Sequence, residues 1–140
     1  KHLNVADAHT RQQAGDVLID VRSTREFAAG HPTGAINVPV LEHDEDTDQL
    51  VANPDFVRVM QANFATDAPL LVSCRSGVRS VKAGQMLLAF GFTNVTNVLG
   101  GFAGAGDGSA PGWEPSGLPV ETTAAAGASY QELLGQADRA

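Results

Sequence analysis

The chain has 140 residues, 43% hydrophobic and 18% charged, with a formal net charge of −7. This composition fits one folded domain with a single core and excludes wholesale disorder, while the negative charge disfavours nucleic acid or an anionic membrane as a partner. No run approaches the roughly 20 apolar residues that span a bilayer, and the single cysteine, Cys74, can form no internal disulfide, so the fold does not depend on an oxidising compartment.

Ala6 to Gln13 reads as a short helix ended by Gly15. The β-branched run VLIDV, residues 17–21, reads as a buried strand. Ser23 and Thr24 are candidate N-caps of a helix that stops at Gly30. The run AINVPV, residues 35–40, is the next expected strand, and an acidic loop, EHDEDTDQ, follows it. Pro54 opens a helix whose Phe56, Val57, Met60 and Phe64 share one face. PLLVSC is a third expected strand, VRSVKAGQMLLAFG a helix ended by Gly91, and VTNVL a fourth strand. This alternation predicts a parallel sheet with helices on both faces. Residues 100–119 are rich in glycine and proline and read as a surface loop with one helical turn at Phe102 to Ala105. An alanine-rich tail follows, and Ser129 caps a terminal helix expected to end near Gln136. There is no internal repeat.

Cys74 sits where an expected strand ends and a helix begins, the place where open α/β sheets bind ligands. Unpaired N–H groups and the helix dipole there favour negative charge. Arg75 and Arg79 add full positive charges, and Gly77 lets a tight loop curl its N–H groups inward. All of these favour a thiolate, the nucleophilic form of cysteine. Cys74 is therefore read as a reactive sulfur in an anion cradle, not as an inert core residue. Asp20 and Arg22 read as an ion pair at the sheet edge, His31 as a hydrogen-bonded turn residue, and Trp113 as the residue that packs a loop onto the core. His43 with Glu42, Asp44, Glu45 and Asp46 reads as a solvated acidic loop, since one His amid flexible carboxylates is a poor metal site. The string GAGDGSAPG lacks the spacing and the following helix of a dinucleotide fingerprint.

In combination these residues resemble the rhodanese family of sulfurtransferases. CRSGVRS is similar to the family's active loop. LIDVRSTREFAAGHPTGAINVP is similar to its Asp-Val-Arg to Gly-His-x-x-Gly-Ala-x-Asn-x-Pro segment, and VLGGFAGAGDGSAPGWEPSGLPVE to its closing Gly-Gly…Trp…Gly-Leu-Pro segment. The three motifs stand in the family's order over about residues 3–121, and the departure is a longer spacing between Gly101 and Trp113. The resemblance implies a rhodanese-like three-layer α/β/α fold with a central parallel sheet of about five strands. It places that domain at residues 1–121 and leaves residues 122–140 as an alanine-rich tail with a short helix.

The activity it implies is a thiosulfate-type sulfurtransferase. Cys74 would take sulfur from a small-molecule donor as a persulfide and pass it to cyanide, a thiol or a protein thiol. Arg75, Ser76, Gly77, Val78 and Arg79 are expected to bind substrate, although Arg79 has the alternative of bracing the loop against a carboxylate. Asp20, Arg22 and Ser80 are expected to support the loop. No cofactor, metal, nucleic acid or membrane enters this chemistry. A sulfur carrier or partner-binding module without turnover is the alternative. A phosphatase or arsenate reductase fits less well, because their loops place one more residue before the arginine than the four that separate Cys74 from Arg79. The start at Lys1, with no methionine, reads as a trimmed or processed product, which leaves the compartment open between cytoplasm and an organelle entered by way of a removed targeting segment.

Overall fold

The structure, a computed structural model, describes residues 1–139. Its elements in chain order are β1 (His2–Leu3), α1 (Val5–Gln13), β2 (Val17–Asp20), α2 (Thr24–Ala29), β3 (His31–Pro32), β4 (Ile36–Asn37), β5 (Leu41–His43) and β6 (Leu50–Ala52). Then follow α3 (Phe56–Asn63), β7 (Leu70–Ser73), α4 (Val78–Ala89), β8 (Val95–Val98), β9 (Val120–Glu121) and α5 (Tyr130–Arg139). Five strands form one parallel sheet in the order β1-β8-β7-β2-β4. This is the expected α/β architecture with its central five-stranded sheet. Asp20 pairs with Ser73 and Val72 with Asn97, so the carboxyl ends of β2, β7 and β8 finish at one level.

Alternate strand residues bury on opposite faces, as the pleat requires. Ile19, Leu70 and Val72 pack against Phe56, Val59 and Met60 of α3, Ala83 and Leu87 of α4, and Leu133 and Ala137 of α5. Leu18, Leu71 and Val98 pack on the other face against Val5 and Ala8 of α1, Phe27 of α2, and Trp113. Each fully buried aliphatic side chain contributes about 1.5–3 kcal/mol. These short apolar runs are therefore both the strand signal and the main source of the fold's stability.

The local rules decide the boundaries. Ser23 caps α2 and completes a capping box with Glu26. Thr24, the other candidate cap, instead donates its N–H and Oγ1–H to Glu42 at 2.9 Å each. The regular part of AINVPV is only β4, because Pro39 has no N–H to donate; Val38 and Val40 on either side of it still donate to the carbonyls of Asp20 and Val21. β1 is too short to show a period in the sequence. The acidic segment is the tip of an antiparallel hairpin, β5–β6, whose turn contains Asp48 at φ 60°. Phe102 and Ala103 lie in a turn and Gly104 and Ala105 are irregular, with no helical turn, since Gly101 and Gly104 have φ of +57° and +105°, outside the right-handed helical region.

The terminal helix runs on to Arg139, beyond the expected end. It seats on α3: Asn63 Nδ2 donates to the carbonyl of Leu133 at 3.0 Å, Asn53 Nδ2 donates to the Tyr130 hydroxyl at 3.0 Å, and Arg58 pairs with Asp138 at 3.0 Å. Leu133→Ala should lower the unfolding free energy by about 2–4 kcal/mol, the cost of a cavity in a packed core. Urea denaturation followed by circular dichroism measures this, and a loss below about 0.5 kcal/mol, the size of a surface substitution, would show that α5 lies on the core without stabilising it.

Candidate active site

Strand β7 ends at Ser73, α4 begins at Val78, and the chain between them curls around Cys74. Gly77 makes the curl possible with φ 104° and ψ 0°, a left-handed conformation that a residue with a Cβ resists. Its N–H donates to Cys74 Sγ at 3.1 Å. The sulfur is enclosed, with Cys74 only 1% exposed. Ser80, on the first turn of α4, places its Oγ 3.4 Å from Sγ and donates to Asn97 Oδ1 at 2.6 Å.

The loop rests on the glycine-rich segment that follows β8. Phe102 N–H donates to the Cys74 carbonyl and Ala103 N–H to the Arg75 carbonyl, both at 2.8 Å. Gly101 lies between these two backbones, and a Cβ on it would sit 2.4 Å from the Cys74 carbonyl oxygen. Gly112 lies as close to the same strap, for its Cβ would be 2.3 Å from the carbonyl carbon of Ala103. Trp113 then donates its N–H to the Gly101 carbonyl at 2.8 Å and buries its indole in the core, where Nε1 donates to the Pro119 carbonyl at 2.7 Å. The long Gly101–Trp113 spacing is thus a folded-back strap whose two ends pack backbone on backbone beneath Cys74 and Arg75.

Two ion pairs brace the surroundings. Arg79 binds Glu26 with both arms, at 2.7 and 2.9 Å, which ties the first turn of α4 to α2. Burial pushes the Glu26 carboxyl up, but the hydrogen bonds and charge of Arg79, with the hydrogen bonds of Ser23, outweigh it and hold the group at about 2. The same pairing with Glu26 holds the Arg79 guanidinium above its ordinary value. Arg22 binds Asp20 with both arms, donates to the Gly30 carbonyl at 2.7 Å, and lies 4.4 Å from the centre of the Phe102 ring.

Arg75 is exposed and makes no ion pair among the described residues. It lines a cavity of about 230 Å³ together with Arg22, Glu26, Phe102, Ala103 and Glu114. Ser76 is half-buried in the loop, and Val78 stands 75% exposed where α4 begins.

The structure therefore brings Cys74, Arg75, Ser76 and Gly77 together in one loop with Val78 and Ser80 on the first turn of α4, and sets the Asp20–Arg22 pair beside it. Of the two possibilities for Arg79, the geometry takes the carboxylate brace. Glu26, Gly101 and Asn97 were not among the sequence candidates. Glu26 was visible only as half of a capping box, and Gly101 only as loop composition. His31 has both ring nitrogens in contact, Nδ1 with the Phe27 carbonyl at 2.7 Å and Nε2 with Glu121 at 3.2 Å. The acidic hairpin tip is engaged internally: Asp48 pairs with Arg25, and Asp44 Oδ1 accepts from the N–H groups of Asp46 and Thr47.

Comparison with known proteins places the chain in a family. The family model for the Rhodanese-like domain matches residues 4–106. The chain is 36% identical over 119 residues to Thiosulfate sulfurtransferase 16, chloroplastic, of Arabidopsis thaliana, covering 85% of this chain and 91% of that protein. It is 31% identical over 124 residues to Thiosulfate sulfurtransferase GlpE of Haemophilus influenzae, covering 88% of this chain and 96% of that one. Among solved structures, Rv0390 from M. tuberculosis superposes with a TM-score of 0.71 at 26% identity, over 87% of this chain and 97% of that one.

Two outcomes follow from the braces. Gly101→Ala forces a methyl against the Cys74 carbonyl at a φ that alanine resists, so it should lower the unfolding free energy by about 2 kcal/mol or more. A matched Gly106→Ala, where a Cβ would meet nothing within 4 Å, should change it by less than about 0.5 kcal/mol; equal effects would mean that the close approach does not govern the strap. Glu26 is held at about 2, below its ordinary 4.5. Its ionised form thus adds stability that is complete above about pH 5 and lost as pH falls through about 2. The stability difference between the wild-type chain and Glu26→Gln should be flat at neutral pH and shrink over that acid window. A difference that grew on acidification would overturn the assignment.

Proposed function

This chain belongs to the rhodanese family, and from that premise we propose that it is a sulfurtransferase of the thiosulfate type, with Cys74 as the residue that carries sulfur. The observation that carries the reading is the enclosed sulfur with the Gly77 N–H at 3.1 Å, at the end of β7 and the start of α4. A donor N–H at a helix N-terminus stabilises an anionic sulfur, whether thiolate or persulfide. The thiosulfate sulfurtransferases named above, similar over most of their length, support the donor class.

The steps balance as two displacements. The Cys74 thiolate attacks the outer sulfur of thiosulfate, the bond from that sulfur to the sulfonate breaks, and sulfite leaves with the electron pair. Cys74 is now a persulfide whose terminal sulfur is anionic. A thiolate or cyanide then attacks this terminal sulfur, the S–S bond breaks, and the pair returns to Cys74. Cyanide leaves as thiocyanate; a thiol leaves as its own persulfide.

Arg75, which makes no ion pair among the described residues and stands beside the cavity, is the group suited to meet the sulfonate end, with Arg22 lining the same cavity. Ser76, Gly77 and Val78 form the loop around the transferred sulfur. Arg79 acts through the loop, by holding it to Glu26. Asp20 orients Arg22, and Ser80 contacts Sγ from the helix side. The acceptor, in this reading, is a small or protein thiol.

Exposure to excess thiosulfate, removal of the donor and intact mass measurement should show one sulfur atom added to the wild-type protein and none to Cys74→Ser. Initial rates with thiosulfate and cyanide should give parallel double-reciprocal lines, the signature of a covalent intermediate. Sulfur uptake by Cys74→Ser, or converging lines, would sink the mechanism.

A further inference from the structure

We propose that Asn97 is a positioning residue for Cys74, acting through Ser80 and anchored by His2. Asn97 lies on β8, only 7% exposed, in register with His2 of β1. Three contacts run in series: Cys74 Sγ to Ser80 Oγ at 3.4 Å, Ser80 Oγ to Asn97 Oδ1 at 2.6 Å, and Asn97 Nδ2 to His2 Nδ1 at 3.1 Å.

A serine hydroxyl has one proton to give, so this series has only two fully satisfied arrangements. In the first, the Cys74 S–H donates to Ser80, Ser80 donates to Asn97 Oδ1, and the Asn97 amide donates to a bare His2 Nδ1. In the second, a protonated His2 Nδ1 donates to Asn97 Oδ1, the turned amide donates to Ser80 Oγ, and the Ser80 hydroxyl donates to an anionic sulfur. An amide turned by 180° has the same shape, so the exchange needs no backbone movement. At the buried Ser80–Asn97 contact any mixture sets two donors or two lone pairs face to face, which disfavours it by about tenfold, while His2 at the far end of the series is exposed and biases the pair from solvent. The first arrangement suits a thiol, the second a thiolate or persulfide. Asn97 thus decides whether Ser80 faces the sulfur as acceptor or as donor, and His2 biases that choice.

The proposal rests on Cys74 being the reacting sulfur, but its test does not need sulfur transfer. The probe is iodoacetamide alkylation of Cys74 in the full chain, at pH 7 and across pH. The charges that face Cys74 are Arg75 in the loop and Arg79 of α4, with Asp20 of β2 beyond it; Lys1 lies beside His2. All four stay unchanged in every variant.

Asn97→Leu removes the acceptor that now holds the Ser80 hydroxyl and frees it to donate to the sulfur, so the rate at pH 7 should rise several-fold and the profile should slide to lower pH. Asn97→Asp, close in shape, offers Ser80 only acceptors, so the rate should fall several-fold and the profile should slide the other way. Both changes should shrink in a Ser80→Ala background, and His2→Leu should alter the wild-type rate but not that of Asn97→Leu. Opposite slides in two variants of one residue are a signature that loosened packing does not give. The proposal is overturned if the two Asn97 variants move together or not at all, or if their effects persist without the Ser80 hydroxyl. It is equally overturned if the His2 effect survives in Asn97→Leu. Should alkylation behave as expected while thiosulfate adds no sulfur, the donor assignment fails and the role of Asn97 stands.

Discussion

The contact on which this molecule's site depends is between two backbones. Gly101 passes so near the Cys74 carbonyl that no side chain fits between them. From that approach follow the paired N–H donations of Phe102 and Ala103 to the carbonyls of the loop. Two such bonds contribute only about 0.5–1.5 kcal/mol each. The burial of Trp113, which secures the far end of the strap, is the larger quantity, since loss of a buried tryptophan costs about 3–5 kcal/mol. The geometry around the sulfur is thus maintained chiefly by hydrophobic packing some distance from it, and the hydrogen bonds set direction.

The sheet supplies the level on which these parts meet. β2 and β7 end side by side at Asp20 and Ser73, and Asn97, paired with Val72, is the next-to-last residue of β8, so an ion pair, a cysteine loop and an amide arrive at the same edge from three strands. The charges there are organised for position. From Ala68 to Gly106 the sequence contains no carboxylate at all. Glu26 and Glu114, which line the cavity, and Asp20, which holds the lining Arg22, are therefore all brought by other segments. Buried ion pairs repay their desolvation poorly as sources of stability. Their service in this fold is to hold α4, α2 and the strap in one arrangement while Arg75 stays uncommitted.

Much of this was legible in the residues because it is local. β-branched runs marked the buried parallel strands. The Cys74–Gly77 turn announced its own curl, and Ser23 with Thr24 marked the start of a capped helix. What escaped was long-range. Arg79 has one carboxylate partner, but the chain offers sixteen acidic residues and no local rule for choosing among them. Gly101 and Gly112 looked like flexible loop composition, since a glycine required by a close approach reads the same as one required by a turn. The helical turn expected at Phe102 followed its neighbours' propensity and lost to the positive φ of Gly101 and Gly104. α5 was recognisable as a helix, but its seat on α3 combines burial of Leu133 and Ala137 with hydrogen bonds from Asn53 and Asn63, polar residues whose spacing carries no packing signal.

The strap also has a part that touches nothing. Beyond the two close approaches, Ala105 N–H donates to the Ala110 carbonyl at 3.0 Å and shuts off a small tip, where Gly106 and Gly108 have open space around their Cα atoms. Both feet of this tip are fixed by contacts below it, and the entropy of closing a longer loop grows only slowly with its length. The tip is accordingly a port for grafting. A recognition peptide or a fluorophore spliced at Asp107 would ride within the same fold segment as the sulfur's support, yet outside every contact that shapes it. A family member could lengthen or shorten itself at this point across evolution without retuning its cysteine.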